Sequence, residues 1–276
     1  MIADYHMHLR AIVEGGDEPL DHRVEAIEPY VASARAADLD EIGFTEHVYY
    51  FRQTSSLWNV PYQTERCVYD IEPYVDAVVE AKRQGLPVKL GLEVDYKRGR
   101  EDETRDLLAP YPWDYLLGSV HFVDGLGIDS APRLIDGVGV EAAWRRYFDE
   151  LAAAAESGLF DSLSHPDLVK IFGERPARSV EEELHEQAVE AIAAAGVAVE
   201  VSTAGLRKPV QELYPDASFL RLCRTHGIPV TVASDAHQPG LVGRDFDRAR
   251  ELLRTTGYET ITLFERRRAR QVPLDG

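Results

Sequence analysis

The stretch that decides the fold opens the chain: Ile2-Ala3-Asp4-Tyr5-His6-Met7-His8. It is a short run with strand-like alternation, and it ends in two histidines. Side chains at positions i and i+2 of a strand point to the same face, so Asp4, His6 and His8 are expected to project together. Two imidazoles on one short strand are a good start for a metal site. The rest of the chain repeats this pattern of a short strand that ends in metal-binding side chains.

Short apolar runs alternate with segments of helical periodicity along the whole chain. Beyond Ile2–His8, strands are predicted at Glu41–Glu46, Val88–Asp95, Tyr115–His121, Phe160–His165, Val197–Thr203 and Pro229–Asp235. Helices are predicted at Glu25–Ala37, Asp70–Gln84, Glu141–Glu156, Val180–Ala195, Ala217–His226 and Arg244–Thr255. Repeated strand–helix units predict an α/β fold with parallel strands. With 276 residues and no evident linker, residues 1–276 are expected to form a single domain.

Composition excludes some partners. Lys plus Arg is 30 and Asp plus Glu is 48, which gives a net charge of −18. This balance argues against nucleic acid and against an anionic membrane surface as the main partner. No stretch approaches the roughly 18 apolar residues that a membrane span requires. The two cysteines, Cys67 and Cys223, lie far apart and indicate a reducing compartment, so a cytoplasmic protein is expected.

Metal-binding residue types collect at one end of the predicted strands. Six of the seven strands end in, or just before, such a residue: His6, His8, His47, Glu93, His121, His165, Asp235 and His237. Sites in parallel α/β folds form at the carboxyl ends of the strands. One zinc ion takes about four protein ligands, so eight candidates predict two or three divalent ions, with Glu93 or Asp235 bridging. The nitrogen and oxygen ligands suit Zn, Mn or Fe.

Each of these assignments has an ordinary alternative. A single histidine such as His121 is more often a satisfied core residue than a ligand, and the joint pattern carries the metal hypothesis. Glu14 is the candidate extra ligand for a third ion; the alternative is a surface charge in a loop. The irregular stretch 49–66 is either a substrate lid or a surface insertion with its own packing. Asp4 and Glu46 are expected to accept hydrogen bonds from ligand imidazoles.

At these residues the chain resembles the polymerase and histidinol phosphatase (PHP) family of metal-dependent phosphoesterases. The matching motifs are Asp4-Tyr5-His6-Met7-His8, Thr45-Glu46-His47, Gly91–Tyr96, Gly118–Phe122, Ser164-His165-Pro166-Asp167 and Ser234-Asp235-Ala236-His237. The resemblance implies a distorted (β/α)7 TIM-like barrel with a metal cluster at its carboxyl-terminal face. It also implies three ligand sets: His6, His8, Glu93 and Asp235; Glu93, His121 and His165; and His47, His237 and a residue at the position of Glu14. The segment Arg10–Asp21, which holds Glu14, departs from the family pattern.

Within the family, the chain is most similar to members that hydrolyse L-histidinol phosphate in histidine biosynthesis. This closer likeness lies in Gly91–Tyr96, in Gly118–Phe122, and in Ser202–Pro209 with the following Tyr214-Pro215. It implies a phosphomonoesterase in which metal-bound hydroxide attacks phosphorus in line.

Particular residues are candidates for the remaining roles in such a reaction. Asp235 or His237 is the candidate general acid or base. Arg207 is the first candidate for binding the phosphate, followed by Lys208 and Lys170. The alternative for Arg207 and Lys208 is a surface pair that caps nearby carbonyl groups.

Two other functions remain open at this point. The same scaffold could hydrolyse a nucleotide, a sugar phosphate, a phosphodiester, a phosphotyrosine or a substrate without phosphorus, because pocket loops select the substrate. It could also be a metal-binding barrel without catalysis. A small phosphorylated substrate and a monomeric or homodimeric protein are expected. The basic run from Arg266 to Arg270 is interpreted as a solvated face or as a partner for the acidic surface.

Overall fold

Two parallel sheets form the centre of the protein. The computed structural model describes residues 2–10 and 19–274, together with the backbone of residues 12–13 and 16–17. The strands are β1 Ala3–Asp4, β2 Ile12–Val13, β3 Gly16–Asp17, β4 Glu41–Phe44, β5 Val88–Leu90, β6 Glu93–Asp95, β7 Leu117–Ser119, β8 Phe122–Val123, β9 Leu126–Gly127, β10 Ser162–Leu163, β11 Ala198–Ser202, β12 Val230–Ala233, β13 Thr260–Glu265 and β14 Arg268–Pro273. One sheet has the order β1-β4-β5 and the other β12-β11-β10-β7-β6, and every pairing in both is parallel.

Helices separate the strands of these sheets along the chain. They are α1 Val24–Ala36, α2 Pro61–Thr64, α3 Ile71–Arg83, α4 Glu101–Leu108, α5 Arg133–Val138, α6 Val140–Glu156, α7 Arg178–Ala195, α8 Ala217–Thr225 and α9 Phe246–Thr255. The predicted α/β class and all six predicted helices are confirmed to within about two residues at each end, the usual precision of a helix boundary. No helix of the described chain is long and apolar enough to cross a membrane.

The seven predicted strands are present, but they are shorter than predicted, and Val88–Asp95 is interrupted. Its first part, β5, pairs with β4, whereas its second part, β6, pairs with β7. Gly91 lies at the break, where a Cβ atom would come within 2.5 Å of Cζ of Tyr115. The Tyr115 ring is fully buried, and its hydroxyl donates to the carbonyl of Tyr5 at 2.8 Å. The strand therefore bends where this ring fills the space between neighbouring backbones.

Isolated bridges extend the strands toward the predicted ligands. Met7 bridges Ala236, and His47 bridges Glu93, both in parallel orientation. The amide of His8 donates to the carbonyl of Ala236 at 2.8 Å. These contacts hold in place the backbone that follows β1, β4 and β12, next to the predicted histidine ligands.

The C-terminal basic run forms a hairpin that the sequence analysis did not predict. β13 and β14 pair in antiparallel orientation, with Thr260 opposite Pro273 at one end and Glu265 opposite Arg268 at the other. The side chains of β14 are exposed except for Val272, so its arginines face solvent as expected. The turn between the strands consists of Arg266 and Arg267, which have φ values of 50° and 62°.

Candidate metal centre

The predicted ligands meet in one cluster beyond the carboxyl ends of the strands. In groups whose ligand atoms lie within 4.8 Å of one another, the structure brings together His8, His47 and His237; His6, His8 and Glu93; His6, His165 and Asp235; and His47, Glu93 and His121. Every described residue of the predicted ligand set occurs in at least one group. Glu14 lies outside the described residues.

The first implied ligand set is arranged around two carboxylates. Nε2 of His6 lies 3.4 Å from Oε2 of Glu93 and 3.8 Å from Oδ1 of Asp235. Nε2 of His8 lies 3.8 Å and 3.5 Å from the same two oxygens. Two imidazole nitrogens and two carboxylate oxygens thus point at one another, which is the donor set that a divalent ion of the zinc type takes.

Glu93 faces a second group of histidines with its other oxygen. Oε1 of Glu93 lies 3.0 Å from Nε2 of His165 and 3.4 Å from Nε2 of His121. One carboxylate therefore presents a different oxygen to each of two ligand sets, which is the geometry of a bridging ligand.

The third implied set is built from stacked imidazoles. The rings of His8 and His237 stack with centroids 4.2 Å apart, and those of His8 and His47 are 4.5 Å apart. Nδ1 of His47 also lies 2.7 Å from Oε2 of Glu93. His8 and Glu93, which belong to the first set, thus adjoin the two described members of the third set, His47 and His237.

Two of the predicted ligands have unusual backbone conformations. The φ values of His165 and Asp235 are 28° and 51°, in the left-handed region that side chains with a Cβ rarely adopt. Such conformations cost roughly 1–3 kcal/mol each and cluster at functional sites. They turn both side chains toward the cluster directly after β10 and β12.

The positions of the donor atoms suit metal binding better than they suit hydrogen bonds between these side chains. Within the described chain, Nε2 of His6, both ring nitrogens of His8 and Oε2 of Glu93 are buried and make no hydrogen bond. Buried polar atoms are otherwise almost always satisfied. Divalent cations bound among these atoms would satisfy them, so the residues present fit a divalent metal cluster.

Carboxylates behind the cluster orient its imidazoles. Oε2 of Glu200 lies 2.9 Å from Nδ1 of His6, and Oε1 of Glu200 accepts from the amide of His165 at 3.2 Å. Oδ1 of Asp95 lies 2.6 Å from Nδ1 of His121. In both His6 and His121, Nδ1 is paired with a carboxylate and Nε2 faces the cluster. This is the arrangement of histidine ligands that a carboxylate holds in place. The sequence analysis did not identify Glu200, although it is the only carboxylate in the apolar run Val197–Thr203.

The expected role of Glu46 and Asp4 is only partly in agreement with the structure. Oε2 of Glu46 lies 3.7 Å from Nδ1 of His8, and its other oxygen accepts from the amides of Leu9 and Arg10. Among the described residues, the carboxylate of Asp4 pairs with no ligand imidazole, and its oxygens accept from the amides of Ser234 and Gly243 at 2.9 Å. The expectation for Asp4 was wrong: this side chain joins β1 to the segment after β12.

Charges in the cluster are strongly coupled. Burial alone would raise the pKa of Glu93, but His6, His121 and His47 outweigh it and hold the pKa well below its usual value. Burial likewise opposes the charged form of His8 and His121. Contacts with Asp235 and Glu46 nevertheless raise the pKa of His8 to about 9, and Glu93 and Asp95 raise that of His121 to about 10.

These shifts predict how pH affects the protein after its metal is removed. A histidine whose pKa is raised in the folded protein stabilises the folded state. This stabilisation is complete at pH values below the pKa of the unfolded chain, near 6.5, and it is lost as the pH rises through the pKa of the folded protein. We expect the free energy of unfolding of chelator-treated protein to fall between about pH 6.5 and pH 10. Urea denaturation across this range tests it. His226→Asn, at an exposed position, should show the same slope, whereas a flat profile in wild type would contradict the prediction.

The three predicted phosphate-binding cations lie in different environments. Arg207 is half-buried beside the cluster, where its guanidinium donates to the carbonyls of Thr203 and Ser234. Lys208 is exposed. Lys170 is fully buried: its Nζ lies 2.7 Å from Oδ2 of Asp167 and donates to the carbonyl of Leu213. Because its ammonium group already has these partners, the structure argues against Lys170 as a phosphate ligand.

The irregular stretch 49–66 packs beside the cluster. It begins within the 3₁₀ turn Val48–Tyr50 and continues through the 3₁₀ turn Arg52–Leu57 and the helix α2. Its own Trp58 is buried. Gln63 donates to Asp95 at 2.8 Å and so links this segment to the carboxylate that orients His121. The segment has its own packing, as one alternative predicted, and it also contacts the site.

Comparisons with known proteins agree with this geometry. The profile of the family described as PHP domain matches residues 4–204. The chain is 34% identical over 271 residues to the Deinococcus radiodurans protein named "Probable histidinol-phosphatase", covering 96% of this chain and 98% of that protein. It is 27% identical to the histidinol-phosphatase of Bacillus subtilis, over 88% and 96% of the two chains.

A solved structure has the same fold. The histidinol phosphate phosphatase of Lactococcus lactis, complexed with zinc, L-histidinol and phosphate, superposes with a TM-score of 0.75 at 21% identity and covers 98% of both chains. The order of the motifs, the cluster at the strand ends and these matches lead to one conclusion: the chain belongs to the PHP domain family.

Proposed function

We propose that this protein is a metal-dependent phosphomonoesterase that hydrolyses L-histidinol phosphate to L-histidinol and phosphate. The observation that carries the proposal is the bridging position of Glu93, whose two oxygens face separate sets of histidines. The named histidinol-phosphatases that align with this chain over nearly its whole length support the substrate. So does the zinc, L-histidinol and phosphate complex of the structural neighbour.

The fold proposed for this function is one distorted (β/α)7 barrel formed by a single domain over residues 1–276. The bridge from Met7 to Ala236 links the strands β1 and β12 of the two sheets, and the bridge from His47 to Glu93 links β4 and β6. With β5 and β6 counted as one bent strand, these contacts support a ring of seven strands. Such a ring would give the ligands one common face.

Two or three divalent ions, of Zn, Mn or Fe, are proposed to bind in the three ligand sets described above. His6, His8, Glu93 and Asp235 would hold the first ion, and Glu93, His121 and His165 the second. His47 and His237 would hold the third, with Glu14 as the candidate extra ligand. When bound, such ions neutralise phosphoryl oxygens and lower the pKa of coordinated water.

The protein's own residues then have distinct tasks. Asp235 and His237 lie at the accessible edge of the cluster, with side chains 16% and 18% exposed and Oδ1 3.5 Å from Nδ1. We propose that one of them moves a proton to the leaving alkoxide or from the attacking water. Arg207, half-buried and hydrogen-bonded to the carbonyl of Ser234, is proposed to bind phosphate oxygens.

An aromatic surface beside the cluster suits an imidazole-bearing substrate. The Tyr49 ring stacks on His47 at 4.9 Å, and it contacts Tyr62 at 5.9 Å and Phe122 at 6.4 Å. Tyr62 is 41% exposed. The exposed Tyr62 ring, which packs against the buried Tyr49, favours a ring-containing leaving group over an aliphatic one.

The decisive experiment is phosphate release from purified protein of known metal content. L-Histidinol phosphate would be compared with a sugar phosphate, a nucleotide, phosphotyrosine and a phosphodiester, with Zn, Mn and Fe tested separately. We expect kcat/KM for L-histidinol phosphate to exceed the others by about a hundredfold or more. Higher kcat/KM on another ester would reassign the substrate. An absence of turnover with metal bound would contradict the enzymatic function.

Arg207→Ala is expected to raise KM for L-histidinol phosphate by roughly tens- to hundreds-fold, because a charged hydrogen bond to phosphate is worth about 2–3 kcal/mol. Steady-state kinetics with metal content measured in parallel would test this. Arg221→Ala, at an exposed position on α8, is the matched control and should leave KM unchanged. An unchanged kcat/KM in Arg207→Ala would remove this residue from the site.

Cellular placement and assembly complete the proposal. Cys67 and Cys223 are free thiols, which is compatible with a reducing cytoplasm. The protein is proposed to act there on its small phosphorylated substrate as a monomer or homodimer.

A further inference from the structure

A cavity lies at the opposite end of the strands from the metal cluster. It has a volume of about 620 Å³, and its walls include residues of the segments that precede β7 and β10. His121 and His165 follow the same two strands. A molecule in this cavity therefore cannot touch the cluster, and its volume is in the range of sites for small ligands.

The wall of the cavity is apolar and aromatic. Leu108, Trp113, Leu116 and Leu159 are all buried by more than nine tenths of their surface. The indole N–H of Trp113 donates to the carbonyl of Leu108 at 2.8 Å, so the orientation of its ring is fixed. Such a wall favours a flat, apolar ligand body.

Basic side chains surround this wall in a protein with a net charge of −18. Lys82, Arg105, Arg266 and Arg267 line the cavity together with one carboxylate, Asp114. Lys82 pairs with Asp114, Arg105 pairs with Asp102, and Arg267 pairs with Asp161.

Arg266 differs from the other three cations. Across residues 2–10 and 19–274, no carboxylate lies within 4.0 Å of its guanidinium, and the side chain is exposed. Its charge is therefore available to a ligand anion.

The backbone that carries Arg266 is strained. Arg266 and Arg267 form the hairpin tip with φ values of 50° and 62°, a conformation usually taken by Asn-Gly or Gly-Gly in such turns. Their amides donate to Asp114, from Arg267 to its carbonyl at 2.8 Å and from Arg266 to its Oδ1 at 3.3 Å. Strain of this kind persists only where surrounding contacts hold it, and here it keeps an arginine at the mouth of the cavity.

We propose that this cavity is a binding site for small aromatic carboxylates. The ring of the ligand packs on Trp113 and the apolar wall, and its carboxylate pairs with Arg266, whose guanidinium has no carboxylate partner among the described residues. This inference is independent of the proposed substrate, because it concerns the face away from the metal cluster.

Calorimetric titration of the metal-loaded protein with indole-3-acetate tests the proposal. We expect a Kd at or below about 1 mM, and weaker binding of the uncharged analogue tryptophol. Arg266→Gly should weaken binding of indole-3-acetate about tenfold. Because glycine adopts a positive φ freely, this variant keeps the hairpin tip. Arg268→Ala removes the same charge from the same hairpin outside the cavity and should bind like wild type.

A second variant locates the bound probe. Glu93→Ala alters the metal cluster and should leave the affinity for indole-3-acetate unchanged. The proposal is overturned if indole-3-acetate does not bind, if Arg266→Gly binds as wild type does, or if Glu93→Ala abolishes binding. The last result would place the probe at the metal cluster instead.

Discussion

Glu93→Ala is expected to lower kcat for phosphate release by roughly a thousandfold or more and to reduce the amount of bound metal, because metal ions contribute several kcal/mol to such reactions. Glu93 is 1% exposed, and its two oxygens lie 3.0–3.8 Å from imidazole nitrogens of His6, His8, His121 and His165. Alanine would remove ligand atoms from two sets at once. Added metal should therefore not restore activity.

Metal analysis and single-turnover phosphate release on the same samples measure this effect. Glu190→Ala, on the exposed face of α7, is the matched control and should keep wild-type activity and metal content. Glu93→Gln preserves the side-chain volume and one carbonyl oxygen. It is the variant to measure if Glu93→Ala does not fold. Wild-type activity in metal-depleted Glu93→Ala would contradict both the bridging role and the metal-dependent mechanism.

The ligands themselves could be predicted from local information. A strand that ends in His-x-His, or in Asp-x-His, indicates on which face and at which end of the sheet the ligands lie. A few consecutive residues are enough for this prediction. His6, His8 and His237 needed only this rule and the tendency of parallel α/β folds to form sites at strand ends. The structure brings all three into one cluster.

Contacts that depend on distant parts of the chain could not be predicted in the same way. The break in Val88–Asp95 follows from packing against the Tyr115 ring, more than twenty residues downstream. Lys170 follows the motif of His165 closely in sequence, but a 3₁₀ turn directs it inward to Asp167. Neither outcome leaves a signal in the local pattern of apolar and polar residues.

The C-terminal hairpin was missed for a different reason. Its two-residue turn lacks the asparagine or glycine that normally marks such turns, because Arg266 and Arg267 adopt the left-handed conformation instead. The dense run of arginines indicated a solvated surface, and β14 is indeed exposed along most of its length. The contacts with Asp114 that hold the turn involve a residue about 150 positions earlier.

Glu200→Ala is expected to weaken metal binding by about 10–100-fold, as loss of a carboxylate behind a histidine ligand commonly does. Glu200 is fully buried and contacts Nδ1 of His6 at 2.9 Å and the amide of His165 at 3.2 Å. Without it, His6 loses the partner that fixes its ring, and the backbone of His165 loses a support for its positive φ. Within residues 2–10 and 19–274, the polar contacts of the Glu200 side chain are with His6 and His165 and not with Asp235 or His237 at the open edge, so it acts as a positioning residue.

Competition titration with a chelator of known affinity measures this loss of metal affinity. Activity measured at rising metal concentration distinguishes the role of Glu200 from that of Glu93. Activity of Glu200→Ala should recover in excess metal, since all the ligand atoms remain, whereas that of Glu93→Ala should not. Glu200→Gln retains an oxygen that accepts from Nδ1 of His6 and should fall between wild type and alanine. Unchanged metal affinity in Glu200→Ala would show that strand packing alone orients His6. A loss of activity that excess metal does not restore would mean that Glu200 does more than position the ligands.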